Sequence, residues 1–228
     1  MLVEFLEYLW HYPRIPKEFR EIVQEQIAIK SRYARQRAAW TNHLSNCKSF
    51  ILENVDPQKD SRIVLLGAGL LNDVPIRELS EKFFEVILLD AFFLDSTLAQ
   101  IKKYPNVKFI SKDISKIENL TDLDFDHLVS LNILSQLLLK EESIAIKQQI
   151  INKHWGLLVG NTVRSKVILI TDYLKQIFDR NNQKKLEESS LADYDIPQAD
   201  RYWDWDLAPL GELDSNYSMM LKVLAKVL

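Results

Sequence analysis

Two hydrophobic periods divide this chain. Up to about residue 54, apolar side chains recur three and four positions apart; from residue 61 on, short β-branched and leucine runs alternate with stretches of helical spacing. The first part opens on Leu2, Val3, Phe5, Leu6, Leu9 and Trp10 interleaved with Glu4 and Glu7, which predicts an amphipathic helix stopped near Pro13 and Pro16. A helical segment, broken once, is expected from Lys17 to about Asn54, with Tyr33, Arg37, Trp40, Leu44, Cys47 and Ile51 on one face. Asp56-Pro57-Gln58-Lys59-Asp60 then breaks the pattern, as a hinge does.

Beyond the hinge, strands are predicted over 61–66, 85–90, 107–110, 127–131 and 167–171. Helices are expected near 75–84, 96–104, 140–153 and 173–179. Residues 181–200 are polar and read as an insertion or flap, and 202–209 and 218–228 read as two closing strands. Alternation of this kind specifies an α/β fold: a Rossmann-like, mostly parallel sheet of about seven strands with helices on both faces. The expected organisation is an N-terminal helical extension over 1–55 and a Rossmann-like domain over 56–228.

The chemistry concentrates where the predicted strands end. The first runs into Gly67-Ala68-Gly69-Leu70-Leu71-Asn72-Asp73-Val74-Pro75, a turn whose glycines admit close approach of a ligand while the next helix offers unpaired N–H groups. The second ends at Asp90, followed by Ala91, about where a carboxylate meets a ribose diol in a dinucleotide-type unit. The third leads to Asp113-Ile114, and the fourth to Asn132, with Ser135-Gln136 close behind. Each residue also has a plainer reading. Asp73 beside Pro75, Asp90 at a loop start and Ser135 before a helix are all suitable caps, and Asp113 suits a turn.

Strand, Gly-x-Gly, strand-Asp, strand-Asp-Ile, strand-Asn is the order of class I S-adenosylmethionine (SAM)-dependent methyltransferases, which the chain resembles over roughly residues 60 to 228. More closely it is similar to a group of uncharacterised bacterial methyltransferase-like proteins. They share the Gly-Ala-Gly-Leu-Leu-x-Asp-Val-Pro turn, Ser-x-Asn-x-Leu-Ser-Gln from Ser130, and Trp-x-Trp-x-Leu-Ala-Pro-x-Gly-Glu from Trp203 to Glu212. The resemblance implies a SAM cofactor with Gly67, Ala68 and Gly69 beside its methionine and ribose portions, and Asp90 with Ala91 on the ribose. It also implies Asp113 with the Ile114 amide on the adenine edge, and Asn132 facing the transferred methyl. Two positions depart from the family: Leu65 stands where an acid is usual and Leu71 where a third glycine is usual, so Asp73 is the candidate for the SAM ammonium.

Catalytic candidates are few. Methyl transfer needs alignment more than acid–base groups, and His43 and Asn132 are the residues nominated; His43 would take a proton from the acceptor if its imidazole were free, and otherwise is a packed histidine. Asp172, Tyr173, Trp203, Trp205 and Glu212 are expected near the later strand ends, as pocket wall or as core. Lys30, Arg32, Arg35 and Arg37 crowd one helical stretch with Tyr33 and Trp40, a nucleic-acid contact if exposed together and otherwise a solvated face.

Composition narrows the classes. With 228 residues and 47% hydrophobic side chains the chain can furnish a full core, and a net charge of −3 gives no overall basic footprint, so nucleic acid is disfavoured as a partner. Cys47 is a lone cysteine, the start shows no signal-peptide pattern, and the longest apolar stretch, Leu128 to Leu139, is interrupted and too short for a bilayer. A cytoplasmic location is expected, without membrane, with a homodimer contact through the first helix as one option. His11, His127 and His154 are scattered, and no metal site is expected. The functional expectation is methyl transfer from SAM to an unidentified small molecule or protein side chain. The alternatives are a non-catalytic SAM- or S-adenosylhomocysteine (SAH)-binding module and an NAD-linked oxidoreductase, the last weakened by Leu70-Leu71-Asn72 where a third glycine belongs.

Overall fold

The structure is a computed structural model that describes residues 8–10, 12–139, 141–191, 194 and 198–228. The helix expected over Met1 to Tyr12 lies largely outside these residues. The long helical segment is broken once, into α1 (Arg20–Arg35) and α2 (Arg37–Asn54). At the break Gln36 leaves helical geometry, with φ −113° and ψ 29°, and its side chain donates to Glu212 at 2.8 Å.

The rest is one mixed sheet. Its strands are β1 (Arg62–Leu66), β2 (Glu85–Asp90), β3 (Val107–Ser111), β4 (His127–Leu131), β5 (Lys166–Asp179), β6 (Lys184–Ser189), β7 (Arg201–Ala208) and β8 (Tyr217–Val227). They run in the order 3-2-1-4-5-8-7, with β6 pairing β5 off that path. The first five are parallel to their neighbours, and β8 and β7 add antiparallel. Crossovers run through α3 (Ile76–Lys82), α4 (Asp95–Ile101) and α5 (Ile144–Asn161).

A strand buried on both faces needs a continuous apolar run, and β1 has one from Ile63 to Leu66. Ile63 and Leu65 face one layer with Cys47, Phe50 and Ile51 of α2, Leu79 of α3 and Ile101 of α4. Val64 and Leu66 face the other, with Leu157 and Leu158 of α5. Leu65, at the position where the resembled family usually has an acid, is therefore core. Leu71 has φ +58°. The third-glycine position thus keeps the left-handed backbone that glycine would adopt, at a cost of about 1–2 kcal/mol for a side chain there.

Two expectations change. Residues 173–179 are not a helix but the outer half of β5, because β8 and β6 pair it on both sides and satisfy its backbone groups as strand. The polar segment 181–200 is not simply a flap: Lys184–Ser189 is β6, folded back on β5. Between Asp172 and Leu174 the β5–β8 register shifts, a bulge at Tyr173 that turns the strand as it leaves the core. Among the described residues no helix is long and apolar enough to cross a membrane.

Candidate functional site

At the C-terminal ends of β1, β2 and β4 a cleft of about 90 Å³ opens under α1 and α2, lined among others by Gly67, Gly69, Asp73, Asp90 and Asn132. Gly67 is required there by its φ of +84° and because a Cβ would sit 2.5 Å from the Leu131 carbonyl. Asp90 is the floor. Its carboxylate accepts from the amides of Gly69 at 2.8 Å and Ala91 at 2.7 Å, and the Phe92 amide also supports it. Burial outweighs these donors and lifts its pKa to about 6.

Gln26 of α1 completes the floor from above. Its Nε2 donates to Asp90 Oδ1 at 3.3 Å and to the Phe92 carbonyl at 3.0 Å, so a helix side chain covers this carboxylate. Its own Oε1 is buried without a partner, as are Asn132 Oδ1 and Trp205 Nε1, and all three residues line the cleft. Buried polar atoms are rarely left unpaired.

Beside this floor, Asn132 holds a left-handed backbone, φ +49°, at the end of β4, and donates from Nδ2 to Asp73 Oδ2 at 2.8 Å. His43 and Cys47 stand one helical turn apart on α2, with Nε2 and Sγ 3.6 Å apart. His43, Cys47 and Asp73 place ligand-type atoms within 4.8 Å of one another, and by residue type could bind a metal ion. The protonation pattern opposes it. Trp203 Nε1, a donor only, gives its hydrogen to His43 Nδ1 at 3.0 Å, so the neutral ring carries its proton on Nε2, the nitrogen beside Cys47 Sγ and the Asn132 side-chain amide. A metal-bound histidine normally donates from its other nitrogen. The same pairing leaves His43 no free lone pair for a base, and burial drops its pKa to about 3. Its ring stacks on Trp205, centroids 3.9 Å apart and planes 5° from parallel, which fixes the indole at the cleft wall.

A larger cavity of about 420 Å³ adjoins the cleft and shares Ile29, Gln136 and Trp205 with it. It lies between α1, the segment after β4, and strands β5 to β8, with Ser135 and Asp172 at its buried end.

The structure thus gathers Gly67, Gly69, Asp73, Asp90, Asn132 and His43 around one cleft. Ala68 is core behind the turn, and Ala91 contributes its amide to Asp90. Asp113 and Ile114 do not line the cleft: Asp113 caps a short 3-10 turn, accepting from the Ser115 amide at 3.0 Å, and Ile114 is buried in the second core layer. Asp73 is not a side-chain cap for α3, which starts after Pro75 without one. Arg32 and Arg35 meet Glu212, at 3.9 and 2.7 Å, so this part of the basic stretch is tied to the β7–β8 connection. Gln26 escaped the sequence reading, although a signal existed: it is the polar member of the buried stripe Val23, Gln26, Ile27.

No family model matches the sequence, and no curated protein matches it. Among solved structures the chain is similar to the YcgJ protein of Bacillus subtilis, at 13% identity and a TM-score of 0.48, over 79% of this chain and 96% of that one. It is also similar to DhpI, in a complex with SAM and HEP, at 10% identity and a TM-score of 0.44, over 84% and 91%. A third is the N-methyltransferase NodS of Bradyrhizobium japonicum WM9 with SAH, at 12% identity and a TM-score of 0.42, over 73% and 78%. The strand order itself, five parallel strands followed by an antiparallel pair beside β5, is that of the class named above. The chain has a Rossmann-like α/β fold, mostly parallel with an antiparallel edge.

Proposed function

We propose that this protein is a SAM-dependent methyltransferase acting on a small molecule or protein side chain. The observation that carries the reading is the group of three unpartnered buried polar atoms, on Gln26, Asn132 and Trp205, around a cleft with a glycine turn and the Asp90 carboxylate. The donor set suits SAM. Asp90 would hold the ribose diol, Gly67 and Gly69 would pass beside the methionine, and Asp73, half-buried and steadied by Asn132, would meet the ammonium. The adjoining cavity would take the acceptor.

The present cleft is smaller than the roughly 300–1,000 Å³ of small-molecule sites because Gln26 fills the space over Asp90. Cofactor entry therefore requires that side chain to leave. Bound SAM supplies a methyl group on a sulfonium sulfur, which passes to a nucleophile's lone pair while the C–S electron pair stays on sulfur. The chain's own part is alignment and exclusion of water: Trp205, clamped by His43, joins the two cavities, and Asn132 fixes Asp73.

Calorimetric titration of the full chain with SAM, SAH and NAD tests the reading. Heat is expected for SAM and SAH and none for NAD; heat for NAD without any for SAH would overturn it. The Gln26–Asp90 contact also suits a non-catalytic SAM- or SAH-binding module. Turnover separates the two, since SAH accumulates only if methyl is transferred.

A further inference from the structure

The larger cavity has a single buried ionisable group among its walls. Six ionisable residues surround it, Arg32, Lys147 and Lys175 against Glu25, Asp172 and Glu188, and Asp172 alone among them is buried. Lys175 pairs with Glu188 at 2.6 Å, and Arg32 reaches Glu212. Asp172 takes hydrogen bonds from the hydroxyls of Ser135 and Ser190, and no cation pairs with it among the described residues. The bulge at Tyr173 places it where β5 turns out of the sheet. The cavity is also lined by the apolar Leu138, Trp205, Leu207 and Leu221.

A buried carboxylate in the wall of such a cavity repels anions and lacks the cation that would offset its desolvation. On the methyltransferase reading above, we propose that this cavity binds a small-molecule amine with an apolar body, that its nitrogen is the methyl acceptor, and that Asp172 receives that nitrogen's proton. The amine arrives as an ammonium and pairs with the carboxylate. One N–H proton passes to a free oxygen lone pair of Asp172, a carboxylate having more acceptor sites than the two hydroxyls use. The released nitrogen lone pair forms the bond to the SAM methyl carbon as the C–S bond breaks, leaving its electrons on sulfur in SAH. The methylated product leaves as an ammonium, and the Asp172 proton returns to water. Burial holds the Asp172 carboxyl above the usual range, which suits it to accept a proton. The cavity shares Ile29, Gln136 and Trp205 with the cofactor cleft, and Ser135, which donates to Asp172, directly precedes Gln136.

The test is equilibrium binding, independent of turnover. The SAH-saturated full chain is titrated calorimetrically with phenethylamine, tryptamine and hexylamine, each beside the alcohol of the same skeleton and with 3-phenylpropionate as the anion. At least one amine is expected to bind tenfold or more tightly than its alcohol, with no binding of the anion. Asp172→Asn, checked for folding by its thermal melt, should lose that preference by at least tenfold and keep SAH affinity. Ala28→Trp, at an exposed position on the outer wall, should block amine binding by filling the cavity, which keeps the proposal testable if the first variant does not fold. With SAH still bound, the absence of binding by every amine, equal binding of amines and alcohols, or unchanged amine affinity in both variants would overturn the proposal alone. A lysine peptide that binds where all three free amines fail would also overturn it. Loss of SAH binding in the unmodified chain would instead sink the methyltransferase reading on which it rests.

Discussion

On the proposed reading cofactor recognition would turn on Asp90, whose burial opposes its charged form. Burial raises its pKa to about 6, against the donors from Gly69, Ala91 and Phe92. Ribose hydroxyls donate to the ionised form, so SAH affinity should be level above about pH 7. It should then fall as pH drops through 6, by at most tenfold per unit; titrations between pH 5 and 8 check this, and a flat profile would remove Asp90 from the ribose. Because its folded pKa is raised, Asp90's contribution to stability has the opposite pH dependence: complete below its unfolded value of 3.8 and lost as pH rises through about 6. Asp90→Asn should weaken SAH by about 1.5–3 kcal/mol, the range for hydrogen bonds to charged groups, or roughly ten- to 150-fold. Unchanged affinity in the folded variant would contradict the assignment. Alanine is the poorer substitution, because the amides of Gly69 and Ala91 would lose their buried acceptor.

Helix α1 sets access to that carboxylate. The Gln26 amide makes the hydrogen bonds that a ribose would replace, yet leaves its own carbonyl oxygen unpaired, so the closed arrangement is incompletely satisfied. Binding must displace it, and apparent affinity is reduced by the fraction of molecules in which the site is open. If about nine in ten are closed, Gln26→Ala should tighten SAH binding by roughly tenfold. Equal or weaker binding would show that Gln26 belongs to the bound state instead. Hydrogen exchange supplies a second view: amides of α1 should exchange faster with SAH bound if the helix lifts. The bulge in β5 acts on the opposite wall, turning a strand at Asp172 and letting β6 fold back as the far side of the larger cavity.

For the whole molecule, α2 belongs to the hydrophobic core. Trp40, Leu44, Phe50 and Ile51 are buried, and the Trp40 indole also donates to the Leu207 carbonyl at 3.1 Å. Burial of four such side chains amounts to roughly 6–12 kcal/mol, comparable to the about 5–15 kcal/mol that holds an entire domain folded. A chain beginning at Asp56 should therefore fail to show a cooperative thermal transition and should bind a hydrophobic dye. A truncated chain that melts cooperatively and binds SAH with full affinity would make residues 1–55 a separable accessory.

The sequence by itself determined the α/β class, the five parallel strands and the glycine turn. These follow from local period, from runs apolar at every position and from conformational demands at single residues. It also marked Asp90 and Asn132, because strand ends are readable where an apolar run meets a polar residue. Tertiary structure decided what such rules cannot carry. Residues 173–179 became strand through pairing with β8 and β6, and the polar stretch after them folded back as β6. Asp113 stayed in its local turn, His43 received its tautomer from Trp203, 160 positions away, and Gln26 met Asp90 across 64. Hydrogen-bond partners and cavity walls depend on which faces come together, and that information lies between distant segments and not within any one of them.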